Sequence, residues 1–206
     1  VDYATSDGTA QAPDDYAATS GTLTFAPGDT SQTFQVSIVD DALDEDDETV
    51  SLTLSEADNA TLGTANNPAT LSIEDDDAQS IVDFTRPSYS ISEGAGTATI
   101  TVTLNAASGR TVTVDYATGD GAAQAPDDYA ATSGTLTFAP GDTSETFQVS
   151  IVDDALDEDE ETVTLTLSDA SNAALGTASN PATLTIEDDD VPVVDFQAAS
   201  YTVGES

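Results

Sequence analysis

The chain has 206 residues, 40 of them acidic and 2 basic, for a formal net charge of -38. A field of that sign repels nucleic acid and anionic membranes, so neither is an expected partner. His and Cys are both absent, which removes the usual ligands of zinc, copper and iron and leaves oxygen donors, suited to calcium and secondarily to magnesium. No apolar run approaches the ~18 residues that span a bilayer, and no signal peptide is visible. The absence of cysteine excludes disulfides and informs only weakly on compartment. Acidity without lysine also fits salt adaptation, which spreads acid over a whole surface and does not cluster it.

The chain opens with VDYATSDGTAQAPDDYAATSGTLTFAPGDTS, and residues 114–144 return that stretch with few changes. The match continues to IEDDD at 73–77 and 186–190, with about ten differences over some 77 positions and a period of about 113 residues. A second marker agrees: VDFTRPSYSISEG from residue 82 returns as VDFQAASYTVGES from residue 194. A fixed period with so little divergence means a tandem array of one domain-sized module. Residues 1–77 are a partial repeat lacking its first two strands, 82–190 a complete repeat, and 194–206 the first strand of a further one.

Within the complete repeat, SYSISEG (88–94), ATITVTL (98–104), TVTVDYA (111–117), GTLTFA (134–139), ETFQVSIV (145–152), ETVTLTL (161–167) and ATLTIE (182–187) alternate apolar and polar residues. That period of 2 marks half-buried strands, and Thr and Val favour them. GAG, ASG, PGD and NP punctuate the series as turns. Seven short strands in about 110 residues predict an all-β fold, here tandem seven-stranded antiparallel immunoglobulin-like β-sandwiches.

IVDDALDEDDETV (38–50) and IVDDALDEDEETV (151–163) are the most acidic runs. If successive strands reverse direction, the connections after the first, third and fifth strands fall at one pole, together with the end of the seventh. That pole collects Glu93, then Asp120, Asp127 and Asp128, then Asp153, Asp154 and residues 157–161, then Glu187 to Asp190. The other pole holds Asp142, Glu145 and Asp169. Four separate segments converging acid on one spot build a multi-oxygen site, and calcium is the expected occupant. The bland alternative is a solvated acidic pole.

Other chemistries fit less well. DDALDEDDE has no central Gly and is not an EF-hand loop. A paired-carboxylate glycosidase needs a substrate cleft and an acid of raised pKa, of which the sequence gives no sign. Ser and Thr have no His or Lys base to activate them. The chain is expected not to be an enzyme.

The motifs SEG, VDYATxDGxA, DDY, GTLTFAPGDT, IVDDALDEDxE and IEDDD resemble those of the Calx-beta domain, and they cover essentially the whole chain. That family is known from sodium–calcium exchangers, from an integrin subunit and from long arrays in bacterial surface and secreted proteins. The resemblance implies a calcium cluster at one pole. It implies Glu93, Asp128, Asp153, Asp154, Glu158, Glu161, Asp188, Asp189 and Asp190 as ligands, with Leu156 contributing its backbone carbonyl. In the partial repeat the matching positions are Asp15, Asp40, Asp41, Leu43, Glu45, Glu48, Asp75, Asp76 and Asp77. Ala42 and Ala155 stand where exchanger domains carry a third aspartate, which implies one ion fewer or weaker. The partial repeat has no Glu93 equivalent, so its site is expected to be incomplete. Asp44, Asp46, Asp47, Asp157 and Glu160 are left outside the ligand set as solvated loop charges. Asp7 and Asp120 are read as turn formers, and Tyr16 and Tyr129 as packing residues.

The resulting expectation is a calcium-binding structural repeat of an extracellular or cell-surface fibre, stalk, matrix or adhesin protein, with neighbouring repeats as partners and self-assembly into filaments as an option. The alternatives are a regulatory calcium-sensing module or an adhesion module gripping a receptor or glycan. Two readings of the chain ends stand: a window on a continuous array, or residues 194–206 serving as donor first strand for the partial repeat of another molecule. A donor first strand leaves the second strand unsupplied, which favours the continuous array.

Overall fold

The structure is a computed structural model describing residues 1–192, 194–195 and 197–205. The described chain divides into two compact units: residues 1–79 with 107–110, and residues 80–106 with 111 onward. No helix among the described residues is long and apolar enough to cross a membrane.

The second unit shows the complete fold. Its strands are β7 (Ile81–Phe84), β8 (Ser88–Ser92), β9 (Thr97–Leu104), β10 (Val112–Asp120), β11 (Ser133–Phe138), β12 (Ser144–Ser150), β13 (Glu161–Ser171), β14 (Ala174–Leu175) and β15 (Ala182–Glu187). They form one sheet ordered β11-β10-β13-β15-β8 and another ordered β12-β9-β7-β14. The inward residues of both faces make a single core around Ile100, Val102, Val112, Val114, Val149, Val163, Leu165 and Leu184, each with no solvent exposure. Tyr116 stacks on Phe147 across the core with centroids 4.1 Å apart.

All seven expected strands are present, and β7 and β14 add to them. Two edge pairings, β15 with β8 and β14 with β7, are parallel. The other pairings of this unit are antiparallel. The reason is topological: with successive reversals an odd-numbered first and seventh strand run the same way, so when they become neighbours they must pair in parallel.

The first unit is the same fold without the second sheet and without the β8 edge of the first. Its strands are β1 (Asp2–Asp7), β2 (Tyr16–Ala17), β3 (Ser20–Thr22), β4 (Ser37–Ile38), β5 (Glu48–Ser55) and β6 (Ala69–Ile73). One sheet survives, ordered β3-β1-β5-β6, beside the short β2-β4 pair. Residues 31–36 are not a strand, although the near-identical residues 144–149 are. In the second unit that stretch hydrogen-bonds along β9 from Ser144↔Thr103 to Ser150↔Thr97. A sequence with strand propensity but no neighbour has no ladder to join. The fully buried core shrinks to Ala10, Tyr16 and Val50.

Residues 197–205, expected as the first strand of a further repeat, carry no strand assignment. Phe196 and Ser206 of that expectation lie outside the described residues.

Candidate metal centre

In the second unit the converging segments meet as the strand-reversal argument requires. β8 runs straight into a short 3₁₀ turn, Glu93–Ala95, so Glu93 is delivered to the end of the sandwich with only 7% exposure. Its carboxylate accepts the Asp154 N–H at 2.7 Å, which ties the start of the 153–160 loop to the turn. The Asp154 carboxylate in turn accepts the Leu156 N–H at 2.7 Å. At Gly94 a Cβ would lie 2.7 Å from an oxygen of Asp189, so the glycine lets that carboxylate come close to the turn. Asp189 also accepts the Ser92 hydroxyl at 2.9 Å. Asp128 is set by a local turn in which it accepts the Gln124 N–H at 2.6 Å.

Two carboxylate triads result: Glu93, Asp154 and Asp190, and Asp128, Glu158 and Glu161, with the oxygens of each triad all within 4.8 Å of one another. Asp188 lines the cleft beside the second triad. Asp153 and Asp189 adjoin the first triad without being members of it. Leu156 is 59% exposed on a loop whose residues 152–160 are all exposed.

The first unit holds one triad only, Asp15, Glu45 and Glu48. These residues, with Asp40, Asp41, Leu43, Asp75, Asp76 and Asp77, line an open cleft of about 450 Å³. No residue of this unit occupies the place of Glu93, so Asp41 and Asp77 are left without the third carboxylate that Asp154 and Asp190 have.

Crowding moves the titrations. Burial, reinforced by neighbouring Asp128 and Glu158, pushes Glu161 up to about 7. Burial and then Asp15 push Glu48 up to about 7. Glu45 and Glu158 are raised by burial and then by nearby aspartates, and so are Asp77 and Asp190. Glu93 is pulled down by the Asp154 N–H, but burial and the charges of Asp154, Asp190 and Asp153 outweigh that and leave it raised. All these groups are short of a positive partner. Two carboxylates about 5 Å apart repel by roughly 1 kcal/mol in water and several-fold more near a protein surface.

Among the described residues, acid meets a protein cation in the first unit. Asp44, expected to be a solvated loop charge, is instead 5% exposed and ion-paired with Arg110, whose other nitrogen lies 3.1 Å from Asp46. The Asp44 carbonyl also accepts the Ser108 hydroxyl at 3.0 Å and the Gly109 N–H at 3.2 Å. The burial follows from that packing of residues 107–110 on the loop. Arg110, one of only two cations in the chain, was the sequence signal for it. Among the described residues these are the only ion pairs, so both triads of the second unit lack any internal countercharge.

Asp120 and Tyr129 are structural. The Tyr129 hydroxyl donates to Asp120 at 2.7 Å, which lowers Asp120 and, with burial, raises Tyr129 to about 12. The same bond joins Tyr16 to Asp7 at 2.7 Å.

The donor set fits a hard cation. Oxygens no more than 4.8 Å apart reach one calcium ion, since two Ca–O bonds span about 4.6–5.2 Å. A buried oxygen of Asp190 has no hydrogen-bond partner within the protein.

The sequence profile of the Calx-beta domain matches residues 1–77 and 75–190. The chain belongs to the Calx-beta family. Among curated proteins, sodium/calcium exchanger 1 of Bos taurus is 35% identical over 172 residues, and sodium/calcium exchanger 2 of Homo sapiens 34% over 173. Each alignment covers 75% of this chain but only 18% of the exchanger. Among solved structures, the apo-form Calx CBD1 domain superposes with a TM-score of 0.52 at 28% identity, over 55% of this chain and all of that one. The Calx CBD2 domain, at 17% identity and a TM-score of 0.50, shares the fold. The Calx-beta sandwich thus accounts for the seven expected strands and for the placing of four acidic segments at one end.

Proposed function

We propose that the acidic poles of both units bind calcium, and that the chain serves as a calcium-stiffened structural repeat of a tandem array outside the cell. The observation that carries the calcium reading is the pair of carboxylate triads in the second unit, held within 4.8 Å and without a protein cation. The ligands are Glu93, Asp154 and Asp190 for one ion and Asp128, Glu158 and Glu161 for another, with Asp153, Asp188, Asp189 and the Leu156 carbonyl completing the shells. In the first unit Asp15, Glu45 and Glu48 hold one ion, with Asp40, Asp41, Leu43, Asp75, Asp76 and Asp77 around it. Calcium supplies the positive charge that lets these carboxylates stay ionised side by side, and it orders the exposed loop 152–160.

The structural role is supported by the near-identity of the two repeats, since copying one module adds length without adding a new specificity. A regulatory role is the second reading, favoured by the likeness to exchangers, whose matched region is a small part of a longer protein. Calcium affinity separates the two. By analogy with EF-hand proteins, extracellular modules bind at about 10⁻⁴–10⁻³ M and sensors at about 10⁻⁷–10⁻⁵ M. Calorimetric titration giving a Kd in the weaker range supports the structural repeat. Micromolar or tighter binding favours the sensor, and no binding heat at millimolar calcium removes both.

A further inference from the structure

We propose that Ser92 and Gly94 are positioning residues for the acidic pole of the second unit: they seat residues 188–190 on the turn after β8, so that Asp188 and Asp190 are both presented to the metal centre. The inference rests on the calcium reading above and adds the device that holds its ligands in place.

Residues 188–190 follow directly on β15, and their exposure alternates as side chains do along a strand. Asp188 and Asp190 are half-buried, and Asp189 between them is exposed. Asp190 joins Glu93 and Asp154 in the first triad. Asp188 lines the cleft beside Asp128, Glu158 and Glu161. Asp189 turns the other way. Its carboxylate accepts the Ser92 hydroxyl at 2.9 Å and occupies the space beside Gly94 that a Cβ would enter, 2.7 Å from its oxygen. The β15–β8 ladder closes at Glu187↔Ser92, and the Ser92 side chain makes the next tie between the two segments.

Electrostatics makes such a tie necessary. Among the described residues no cation faces this pole, so three aspartates beside Glu93 and Asp154 repel one another until an ion arrives. A run that has swung away must be brought back and ordered when calcium binds, which lowers affinity. A run already seated is preorganised. Ser92 is a neutral donor, so it holds Asp189 without cancelling the charge that attracts calcium. One Asp189 oxygen is used in this way, and the other is left to complete a shell. Gly94 serves the same contact by leaving room for it. The backbone of the turn does not demand a glycine there, because the left-handed residue is Gly96. The motif SEG (92–94) thus reads as a tether, a ligand and a gap.

Calcium titration of the full chain, followed by amide NMR, tests this. The Asp154 N–H, bonded to Glu93, reports the first triad. The Leu43 N–H, bonded to Asp41, reports the first unit as an internal reference. Ser92→Ala should weaken the calcium response at Asp154 about fivefold, the worth of one hydrogen bond, and leave that at Leu43 unchanged. Ser92→Thr keeps the hydroxyl and should bind as the wild type does. Gly94→Ala should weaken binding at least as much as Ser92→Ala, because the Asp189 carboxylate can swing clear of the new methyl without unfolding the turn. In EDTA, amide exchange at 188–190 should be several-fold faster in Ser92→Ala, while the melting midpoint should not fall, since the tether opposes repulsion and packs no core. In an Asp189→Ala background, Ser92→Ala should have no further effect. Unchanged affinity in Ser92→Ala or Gly94→Ala, an equal loss in Ser92→Thr, additive losses in the double variant, or a lowered midpoint in EDTA would overturn the inference and leave the calcium reading standing. Wild-type amides that do not respond to millimolar calcium would remove that reading and this inference with it.

Discussion

Proton competition is the sharpest quantitative consequence of the crowded poles. Burial and Asp128 hold Glu161 at about 7, far above the ordinary glutamate value. A ligand carboxylate must be ionised, so calcium entering this triad displaces whatever proton Glu161 holds. For one group at pKa 7 the apparent affinity is divided by about 11 at pH 6, 2 at pH 7 and 1.1 at pH 8, a weakening of about tenfold or 1.4 kcal/mol from pH 8 to pH 6. About half a proton should leave per ion at pH 7. Glu48 gives the first unit the same behaviour. Calorimetric titration at the three pH values, repeated at pH 7 in two buffers of different ionisation heat, measures both quantities. Equal affinity at pH 6 and pH 8 with no proton release would refute the assignment of Glu161 and Glu48 as half-buried ligands.

Asp154→Asn should weaken calcium binding in the second unit at least tenfold, because Asp154 belongs to a triad and also orders the loop through Leu156; Asp142→Asn, at the opposite pole, should leave the titration unchanged. Without calcium, stability should fall as pH rises. Glu48 and Glu161 titrate higher in the fold than in the unfolded chain, so their contribution is full below about 4.5 and lost as pH passes about 7, and the melting midpoint in EDTA should be higher at pH 5 than at pH 8. Calcium at millimolar concentration should cancel most of that slope. Arg110→Gln removes the only countercharge of a buried Asp44 and should cost the first unit about 3 kcal/mol or more, read as a lower first transition in urea, whereas Arg86→Gln should be nearly silent.

Much of this was legible in the sequence because the module announces itself twice. Alternation of Val, Leu and Thr marks each strand, and counting reversals assigns the loops to poles without coordinates. The parallel β8–β15 pairing was not legible, since periodicity specifies a strand but not its neighbour. Neither was the loss of strand in residues 31–36: the residues there are nearly those of β12, and only the absent β9 partner distinguishes them. Asp44 illustrates the same limit at the candidate site. It sits in a run of acids with nothing local to set it apart, and its burial depends on Arg110, 66 residues away.

Thermal melting of the chain in EDTA and in millimolar calcium, with sodium at matched ionic strength as control, tests the central claim most directly. An ion that binds only the folded state stabilises it by about 2.7 kcal/mol at one hundred times Kd, which for units of this size raises the midpoint by roughly 10 °C or more. The account predicts that rise with calcium and not with sodium. Equal midpoints in calcium and in matched sodium would contradict it and leave the acidic poles as solvated surface.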